Sequence, residues 1–477
     1  MFLGIDLGTT NIKAIVVDSD GQVVASGSAP AEIFHLDDGG VEQDIEQIFS
    51  ATLAAIKQAT GSGLGNRIQA IGVSSQGGAM QIQAKDGTPC GRVIGWMDGR
   101  GKPYDAKLTA ELGSDWFAAH IGHGVSGIAP GQLLRLRKEK LLPGAFRVGF
   151  VGDIIVSRLC GRAAHDATSL SLGMLYNPSL GQADPELLEK IGLAESQLPE
   201  LLNASAPAGG LLGDVAKQTS LPAGIPVSAA IHDQYAAALG CGAVNAGDVM
   251  FGAGTAWVLL AVTDKLTGPA VNSAIECRHV VDGLFGQILS MVNGGSSLSW
   301  VLKTLGLENL DSSQLDEIIQ SVLPGCDGLA FWPLLVPGDR EGLAEGATGQ
   351  LTGLRLSHTR AHIVRAVVEG LACELTRHLK ILAKAGLGVK RLIMAGHAAG
   401  SSVTPQIIAD VSALPVVCVQ APAVSAIGAA IVARGLAEPG KSILELTNSS
   451  ASPRRTVEPS ADNVALYRSL LERYIAV

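Results

Sequence analysis

The first thirty residues alternate short apolar runs with turns. Phe2-Leu3-Gly4-Ile5-Asp6 has the pattern of a buried strand, Leu7-Gly8-Thr9-Thr10 that of a turn, and Ile12 to Val17 that of a second strand. The turn Ser19-Asp20-Gly21-Gln22 leads into a third strand, Val23 to Ser26. The pattern therefore predicts an antiparallel meander at the start of the chain.

Helical and strand patterns alternate after the meander. A helical segment from Ile45 to Ala59 precedes a short strand, Ala70 to Ser74. Apolar positions at helical spacing from Thr359 to Leu382 predict a long amphipathic helix. The strand Arg391 to Met394, a Gly/Ala-rich loop and a helix from about Pro405 to Leu414 follow. This alternation is typical of an α/β protein, and the last unit is a candidate wall of a nucleotide site.

The opening pattern returns in the middle of the chain. When Gly8 is aligned with Gly254, Thr9 falls on Thr255 and Asp6 on Gly252. Chance recurrence of Gly-Thr between apolar strands is the alternative, but the match favours two halves of similar design. The Gly- and Ala-rich stretch 240–247 is the natural boundary. We expect domains at residues 1–245 and 246–477, with a metal-facing acid in the first half only.

Composition narrows the class of protein. The 477 residues are 47% hydrophobic and 17% charged, which is typical of a globular chain of two or more domains. A net charge of -9 gives no basic face for nucleic acid, and the longest apolar runs are too short to cross a membrane. The seven cysteines are scattered, with no C-x-x-C pair: Cys90, Cys160, Cys241, Cys277, Cys326, Cys373 and Cys418. We therefore expect neither a disulfide framework nor a zinc site. We expect the protein to be cytoplasmic.

Two short turns are candidates for holding phosphate groups. The sequence contains no G-x-x-x-x-G-K-[ST] motif and no strand-linked G-x-G-x-x-G motif. Gly8-Thr9-Thr10 and Gly254-Thr255-Ala256 can each offer backbone N-H groups and a hydroxyl to an anion. Asp6, beside the first turn, is a candidate ligand for magnesium through water, because Mg²⁺ prefers oxygen ligands and keeps much of its hydration shell.

At this point the chain resembles the FGGY carbohydrate kinases, which share a fold group with actin, hexokinase and the chaperone ATPases. The matches run nearly from end to end and comprise Gly4-Ile5-Asp6-Leu7-Gly8-Thr9-Thr10 with Lys13, Gly40-Val41-Glu42-Gln43-Asp44, Val73-Ser74-Ser75-Gln76, Trp96-Met97-Asp98-Gly99-Arg100, Ile231-His232-Asp233-Gln234, Gly254-Thr255-Ala256, Gly294-Gly295-Ser296-Ser297-Leu298-Ser299-Trp300 and Gln406-Ile407-Ile408-Ala409-Asp410.

The resemblance implies a fold, cofactors and residue roles. The expected fold is α/β, with two actin-like (ribonuclease H-like) domains around a central cleft. The first domain would carry the sugar site and the catalytic base, Asp233, and the second most of the ATP site, with Mg²⁺ at Asp6. The residues expected to bind ATP are Gly8, Thr9, Thr10, Lys13, Gly254, Thr255, Gly295, Ser296, Ser299, Gly396, His397 and Ala398. Those expected to bind the sugar are Gln76, Gly77, Trp96, Asp98, Arg100, Asp233 and Gln234.

Each of these roles has a purely structural alternative. Asp233 is also a suitable helix N-cap, since a helical pattern follows it. Asp98 and Arg100 flank a turn and are also explained by a solvated ion pair. Lys13 lies on a strand and is explained nearly as well by a solvent-facing side chain. We favour sugar binding for the stretch at Trp96, whose ring offers a flat apolar face.

Three departures from the family pattern affect specificity. The adenosine loop has Gly396-His397-Ala398 where many members have three glycines, which puts a larger side chain near the expected adenine site. Gln76-Gly77-Gly78-Ala79 stands where xylulose kinases often carry Gln-Met-His-Gly, so we expect a wider or water-filled pocket and weaker discrimination among sugars. His232-Asp233-Gln234 replaces the Gly-Asp-Asn common in xylulose kinases.

The sequence as a whole predicts an ATP-dependent kinase for a small sugar. A ketose such as xylulose is the first expectation for the acceptor, and a polyol of the glycerol or erythritol type or an aldonate is the alternative. A non-catalytic ATP-driven switch is the rival from another class. It would need a further partner-binding domain, and the chain ends soon after the helical pattern Asn463 to Ile475. The sequence leaves open whether the protein forms a homodimer.

Overall fold

The computed structural model describes residues 1–61, 63–291, 293–336, 343, 346–450 and 454–475. Its strands are β1 Phe2–Leu7, β2 Asn11–Val17, β3 Val23–Pro30, β4 Phe34–His35, β5 Val41–Gln43, β6 Ala70–Ser75, β7 Met80–Gln83, β8 Val93–Ile94, β9 Arg147–Phe150, β10 Ala164–His165, β11 Tyr176–Asn177, β12 Gln182–Ala183, β13 Glu200–Leu201, β14 Pro207–Gly210, β15 Pro226–His232, β16 Asp248–Ala253, β17 Trp257–Thr263, β18 Ile275–Arg278, β19 Phe285–Ser290, β20 Ala330–Trp332, β21 Gln350–Thr352, β22 Arg391–Ala395, β23 Val416–Val419 and β24 Arg454–Val457.

The α-helices within the described residues are α1 Ile45–Thr60, α2 Lys102–Leu112, α3 Ser114–Ile121, α4 Ala129–Lys138, α5 Val151–Cys160, α6 Ala167–Leu172, α7 Pro185–Ile191, α8 Gly213–Thr219, α9 Asp233–Cys241, α10 Gly295–Thr304, α11 Ser312–Gln320, α12 Arg360–Lys384, α13 Thr404–Ser412, α14 Val424–Ala437, α15 Ile443–Asn448 and α16 Ala461–Ile475. Throughout the described ranges, no helix has the length and the apolar character needed to cross a membrane.

The predicted meander forms the centre of the first sheet. Strands β1, β2 and β3 pair antiparallel, and β1 also pairs parallel with β6. The strand order is β13-β10-β15-β6-β1-β2-β3, with β14 paired to β15. Parallel pairing of β1, β6 and β15 brings their carboxyl ends to one edge of the sheet, where polar side chains can meet.

The chain forms two compact units, and neither is a continuous half. The first unit comprises Met1–Val244, Asp264–Gly286 and Ala423–Ser452, and the second comprises Asn245–Thr263, Gln287–Pro422 and Pro453–Val477. The expected boundary near residue 245 coincides with the end of the first long segment. Two later segments nevertheless belong to the first unit, so the compact units differ from the expected ranges 1–245 and 246–477.

Helix α14 explains why a late segment belongs to the first unit. It packs on β1, β6 and α9. The contact depends on glycines, since a Cβ at Gly4 would overlap the Ala426 carbonyl oxygen, and one at Gly72 would overlap the Ala429 carbonyl oxygen. Beneath the helix, Ile5 and Val73 are completely buried. The first core is therefore closed by residues from the far end of the sequence.

The second unit repeats the design of the first. The strands that contribute residues to this unit follow the order β19-β17-β16-β22-β23-β24. Strands β16 and β17 form an antiparallel hairpin, and β16 pairs parallel with β22, as β1 pairs with β2 and β6. The predicted internal repeat is thus present in the topology. Helix α12 carries a buried ion pair, with Arg365 Nε 2.7 Å from Glu369 Oε1.

Candidate active site

Asp233 lies where strand β15 becomes helix α9. It is the first residue of the helix, and the N-cap is His232, so the alternative that Asp233 is an N-cap is wrong. The side chain is 28% exposed, which leaves it accessible to a ligand. Burial raises its pKa to about 6, against the opposing effect of hydrogen bonds from Gln234. A partly buried carboxylate with a pKa close to neutrality has the properties of a general base.

Asp6 lies at the end of β1 in the same unit. Its register partners are Ser74 on β6 and Lys13 on β2, and Ser74 Oγ donates a hydrogen bond of 3.1 Å to Asp6 Oδ1. Burial and the charge of Asp233 raise the pKa of Asp6 to about 7, against the lowering effects of the Ser74 hydrogen bond and the Lys13 charge. The two carboxylates therefore repel each other, and a cation placed near them would relieve that repulsion.

The oxygen ligands at this edge of the sheet fit a magnesium ion. Asp6 supplies a carboxylate and is close enough to Asp233 for each charge to affect the other. Mg²⁺ takes oxygen ligands and commonly uses only one or two carboxylates, with water completing its shell. No group of three or more His, Cys, Asp or Glu side chains suited to a metal occurs in the described part of the chain. One carboxylate with water completing the shell fits a hydrated ion.

A ring of side chains joins the first phosphate turn to the predicted sugar segments. Thr9 Oγ1 donates to Gln76 Oε1 at 3.0 Å and accepts from Trp96 Nε1 at 3.2 Å. Gln76 Nε2 donates to Gln43 Oε1 at 2.8 Å, and Gln43 Nε2 donates to the Thr9 carbonyl at 2.9 Å. The structure thus brings Thr9, Gln76 and Trp96 together. It adds Gln43, which was noted in the sequence only as part of a family landmark.

Asp98 and Arg100 form a network with the protein itself. Both Asp98 oxygens accept hydrogen bonds from the Arg100 guanidinium, and Oδ2 also accepts from the Val41 backbone N-H at 3.0 Å. Arg100 Nη2 also lies 2.7 Å from Glu42 Oε1. Asp98 is buried, so the pair is not the solvated surface pair of the structural alternative. This hydrogen-bond network holds the loop that carries Trp96.

The space beside Gly77 is filled, and the expected open pocket is wrong at this position. A Cβ on Gly77 would lie 2.6 Å from His232 Cδ2 and 2.6 Å from Leu172 Cβ. At Gly78, which has a φ of +75°, a Cβ would lie 2.8 Å from Ile128 Cγ2. The ring of His232, from the end of β15, occupies the space beside Gly77. This contact joins two segments that are far apart in the sequence, so neither local pattern indicates it.

A cavity of about 680 Å³ borders the predicted sugar segments within the first unit. Trp96, Asp98 and Gly78 line one part of it, and Lys102, Asp105 and His123 line another. Burial raises the pKa of Asp105 to about 6, while Ser126 Oγ donates to its Oδ1 at 2.7 Å. Arg100 is turned toward its carboxylate partners and does not line this cavity.

The second unit contains its own cavity, of about 400 Å³. Its walls include most of the residues predicted to bind ATP in this half of the sequence: Gly254, Thr255, Gly295, Ser299, His397 and Ala398. The Gly295 N-H donates to the Gly254 carbonyl at 2.9 Å, and the Ser296 N-H donates to the Thr255 carbonyl at 3.0 Å. The turn and the start of α10 are therefore joined through their backbones.

His397 projects into a partly apolar part of this cavity. Its Nε2 lies 2.9 Å from Ser312 Oγ, and Leu298, Leu302 and Leu315 line the same space. Gly396 before it has a φ of +94°, a conformation that favours glycine. No sequence pattern indicates Ser312, because its contribution depends on how α11 is placed.

Comparison with known proteins identifies the family. The model of the FGGY family of carbohydrate kinases, N-terminal domain, matches residues 1–240, and that of the C-terminal domain matches residues 249–434. The chain belongs to the FGGY family of carbohydrate kinases. It is accordingly a phosphotransferase that acts on an alcohol group of a carbohydrate, and kinases of this family use ATP as the phosphoryl donor.

Relatives in this FGGY family differ in the substrates that they are named for. The chain is 28% identical over 490 residues to the L-xylulose/3-keto-L-gulonate kinase of Escherichia coli K12, with 99% of this chain and 95% of the relative covered. It is 29% identical to a glycerol kinase of Deinococcus radiodurans, with 91% and 88% covered. The crystal structure of xylulose kinase from Rhodospirillum rubrum superimposes with a TM-score of 0.88 at 27% identity, covering 100% of this chain and 97% of that one.

Proposed function

We propose that this kinase transfers the γ-phosphoryl group of ATP to a hydroxyl of a small ketose such as xylulose, in the cytoplasm. Two observations support the acceptor class: the relatives named for xylulose, and the cavity beside Trp96. The observation that carries the mechanism is the pair of carboxylates Asp6 and Asp233, whose pKa values burial raises. Asp233 would accept a proton, and Asp6 would hold a cation.

In the proposed reaction, Asp233 accepts the proton of the attacking hydroxyl. Its carboxylate is at the amino-terminal end of α9, where the helix dipole favours the ionised form before the proton arrives. The oxygen of the acceptor attacks the γ-phosphorus as that proton leaves, and ADP departs with the electrons of the broken bond. Positioning and charge neutralisation supply most of the rate enhancement in such a transfer.

Asp6 is the proposed holder of Mg²⁺, which would neutralise charge on the phosphates when bound. The turn at Gly8, Thr9 and Thr10 offers backbone N-H groups to a phosphate, and Lys13, the register partner of Asp6, offers a cation. In the second unit, Gly254, Thr255 and the start of α10 would also bind phosphate groups. The cavity at His397 would bind the adenine of ATP. Trp96 lines the acceptor site, Gln76 accepts a hydrogen bond from Thr9 beside it, and Asp98 and Arg100 hold the Trp96 loop.

The replacement Asp233→Asn tests this function. It preserves size and removes basicity, so we expect turnover to fall by roughly a hundredfold or more while ATP and the acceptor still bind. Phosphorylation of ketoses, polyols and aldonates is measured through ADP release, and binding by calorimetry. Near-normal turnover by the variant would remove Asp233 from the mechanism. Failure of the wild type to phosphorylate any carbohydrate would overturn the proposal itself.

Lys102 favours an aldonate or ketoaldonate as a second candidate acceptor. It lines the cavity beside Trp96, and its ammonium has no ion pair or hydrogen bond within the residues described. Asp98, by contrast, is already paired with Arg100. A cation that has no ion-pair partner in an acceptor site would be available to bind a carboxylate on the substrate.

The replacement Lys102→Met separates the two candidates. For an acidic acceptor, kcat/KM should fall by roughly tenfold or more, whereas a neutral ketose should be little affected. Lys107→Met is the matched control, because Lys107 is also exposed on α2 but does not line the cavity. Equal losses for acidic and neutral acceptors would exclude a carboxylate-binding role.

A further inference from the structure

The hydroxyl of Thr9 joins the proposed phosphate turn to the ring of Trp96. Thr9 Oγ1 lies 3.2 Å from Trp96 Nε1 and 3.0 Å from Gln76 Oε1. Trp96 is 48% exposed and lines the cavity assigned to the acceptor, whereas Thr9 follows β1 in the turn assigned to phosphate. A single oxygen atom is therefore bonded to residues from both of these proposed sites, within the first unit.

A backbone carbonyl fixes the direction of every hydrogen bond in this network. A carbonyl can only accept, so Gln43 presents its amide nitrogen to the Thr9 carbonyl, at 2.9 Å. Gln43 Oε1 then accepts from Gln76 Nε2 at 2.8 Å, which leaves Gln76 Oε1 facing the Thr9 hydroxyl. An amide oxygen cannot donate and an indole nitrogen cannot accept. The hydroxyl therefore gives its one hydrogen to Gln76 and accepts from Trp96.

The Thr9 hydroxyl consequently has no hydrogen left for a phosphate group. Backbone N-H groups of the turn would bind the phosphate, and the side chain of Thr9 would hold the turn in position. Gln76 contributes to this hold, because its backbone N-H donates to the Leu7 carbonyl at 3.0 Å. Gln43 and Gln76 are almost completely buried, so water competes little for these bonds. Trp96 is the exposed member of the network, so a ligand can pack on its ring.

We propose that the hydrogen bond between Trp96 and Thr9 couples the two substrate sites, so that an acceptor packed on the indole strengthens binding of the ATP phosphates at the turn. Thr9 is then a positioning residue through its side chain. The proposal rests on the proposed function, which places the acceptor at Trp96 and phosphate at the turn. An acceptor that restricts the indole would restrict the turn through Nε1, and by linkage ATP would strengthen acceptor binding by the same factor.

The replacement Trp96→Phe tests the coupling, because it removes the N-H and keeps an apolar ring. Calorimetry measures the Kd of adenylyl imidodiphosphate with Mg²⁺, an ATP analogue that cannot transfer its γ-phosphoryl group. The measurement is repeated with whichever of D-xylulose, glycerol and gluconate the wild type phosphorylates best. We expect the acceptor to lower this Kd by roughly fivefold in the wild type and by less than about twofold in Trp96→Phe. Trp116→Phe is the matched control, since Trp116 lies in the same unit but does not line the cavity, and it should keep the wild-type factor.

A double-mutant cycle tests the hydrogen bond itself and needs no acceptor. Trp96→Phe and Thr9→Val should each raise the Kd of the analogue by roughly threefold or more. The double variant should stay within about twofold of Thr9→Val, because both replacements remove the same bond. Thr9→Ser keeps a hydroxyl and should retain the coupling. Thermal unfolding shows whether each variant is folded.

Equal coupling factors in the wild type and Trp96→Phe would overturn the proposal, as would losses that multiply in the double variant. If the wild type phosphorylated none of the three acceptors, the proposed function would be contradicted instead. The double-mutant cycle would then still decide whether the Trp96 N-H acts on the turn through Thr9, so the two failures are distinguishable.

Discussion

At the scale of single residues, the raised pKa of Asp233 makes activity depend on pH. Only the ionised carboxylate can accept a proton, and burial raises its pKa to about 6. We therefore expect kcat/KM to be constant above this pH and to fall as pH decreases through about 6. The measurement is a pH-rate profile at saturating Mg²⁺, with the coupling enzymes shown to be in excess at each pH. Constant activity down to about pH 4.5 would contradict the assignment.

The pKa of Asp6 predicts a second pH effect, on the magnesium requirement. Because its pKa is raised to about 7, a larger fraction of Asp6 is protonated as pH falls below that value. Protons then compete with the cation, so the Mg²⁺ concentration for half-maximal activity should rise below about pH 7. Asp6→Asn should raise the Mg²⁺ concentration for half-maximal activity at every pH and remove most of its dependence on pH. Identical magnesium titrations of wild type and variant would contradict a role for Asp6.

The glycine at position 77 should be intolerant of even one methyl group. Gly77→Ala places a carbon against both His232 and Leu172, so we expect kcat to fall by roughly tenfold as displacement of His232 shifts the adjoining Asp233. Gly213→Ala is the control, because a Cβ at Gly213 meets nothing within 4 Å. Steady-state kinetics and thermal unfolding are measured on both. A Gly77→Ala enzyme with wild-type kcat would show that the space is adaptable.

At the scale of elements, the packing of α14 should make Gly72 critical for stability. A Cβ at this position would overlap the Ala429 carbonyl oxygen, and backbone atoms cannot move aside as a side chain can. We expect Gly72→Ala to reduce the free energy of unfolding by about 3 kcal/mol. Urea denaturation measures the change. Gly144→Ala, where a Cβ has open space around it, should change the stability by less than about 0.5 kcal/mol.

Local patterns predicted these elements well, and contacts between distant residues were not predictable. The helix expected from Ile45 to Ala59 is α1, and that expected from Thr359 to Leu382 is α12, because both depend on apolar spacing within one segment. The contact of His232 with Gly77 joins two segments far apart in the sequence. Nothing in either local pattern indicates that the two approach each other.

The same distinction applies to the candidate site. The turn at Gly8 and the residues Asp6 and Asp233 were found from motifs, since their residue types and order are characteristic. The hydrogen-bond network around Asp98 and Arg100 is not predictable from a motif, because the partners Glu42 and Val41 come from a strand elsewhere in the sequence. A motif therefore predicts which residues lie near a ligand, whereas burial and hydrogen bonding decide which of them are free to bind one.

At the scale of the whole molecule, the sequence halves and the compact units do not coincide. Fragments cut at the apparent boundary should therefore not fold. Residues 1–244 lack α14, which covers β1 and β6, and they also lack 264–286. The exposed strands would present a large apolar surface to water, which favours aggregation. This prediction separates a division based on repeated motifs from one based on packing.

Three fragments test this division of the chain. We expect residues 1–244 to be aggregated or unfolded, and residues 1–286 to remain unstable because α14 is still missing. Residues 1–286 joined to residues 423–450 through a flexible Gly/Ser linker should recover cooperative unfolding, since the added segment restores the buried face of the sheet. Circular dichroism and thermal denaturation follow the outcome, with the full chain as reference.

The matched control carries the same linker and segment with Gly428→Leu, because a side chain there would overlap the Ala236 carbonyl oxygen on α9. If residues 1–244 alone unfolded cooperatively, α14 would be dispensable, and the first half of the sequence would be an independent domain after all.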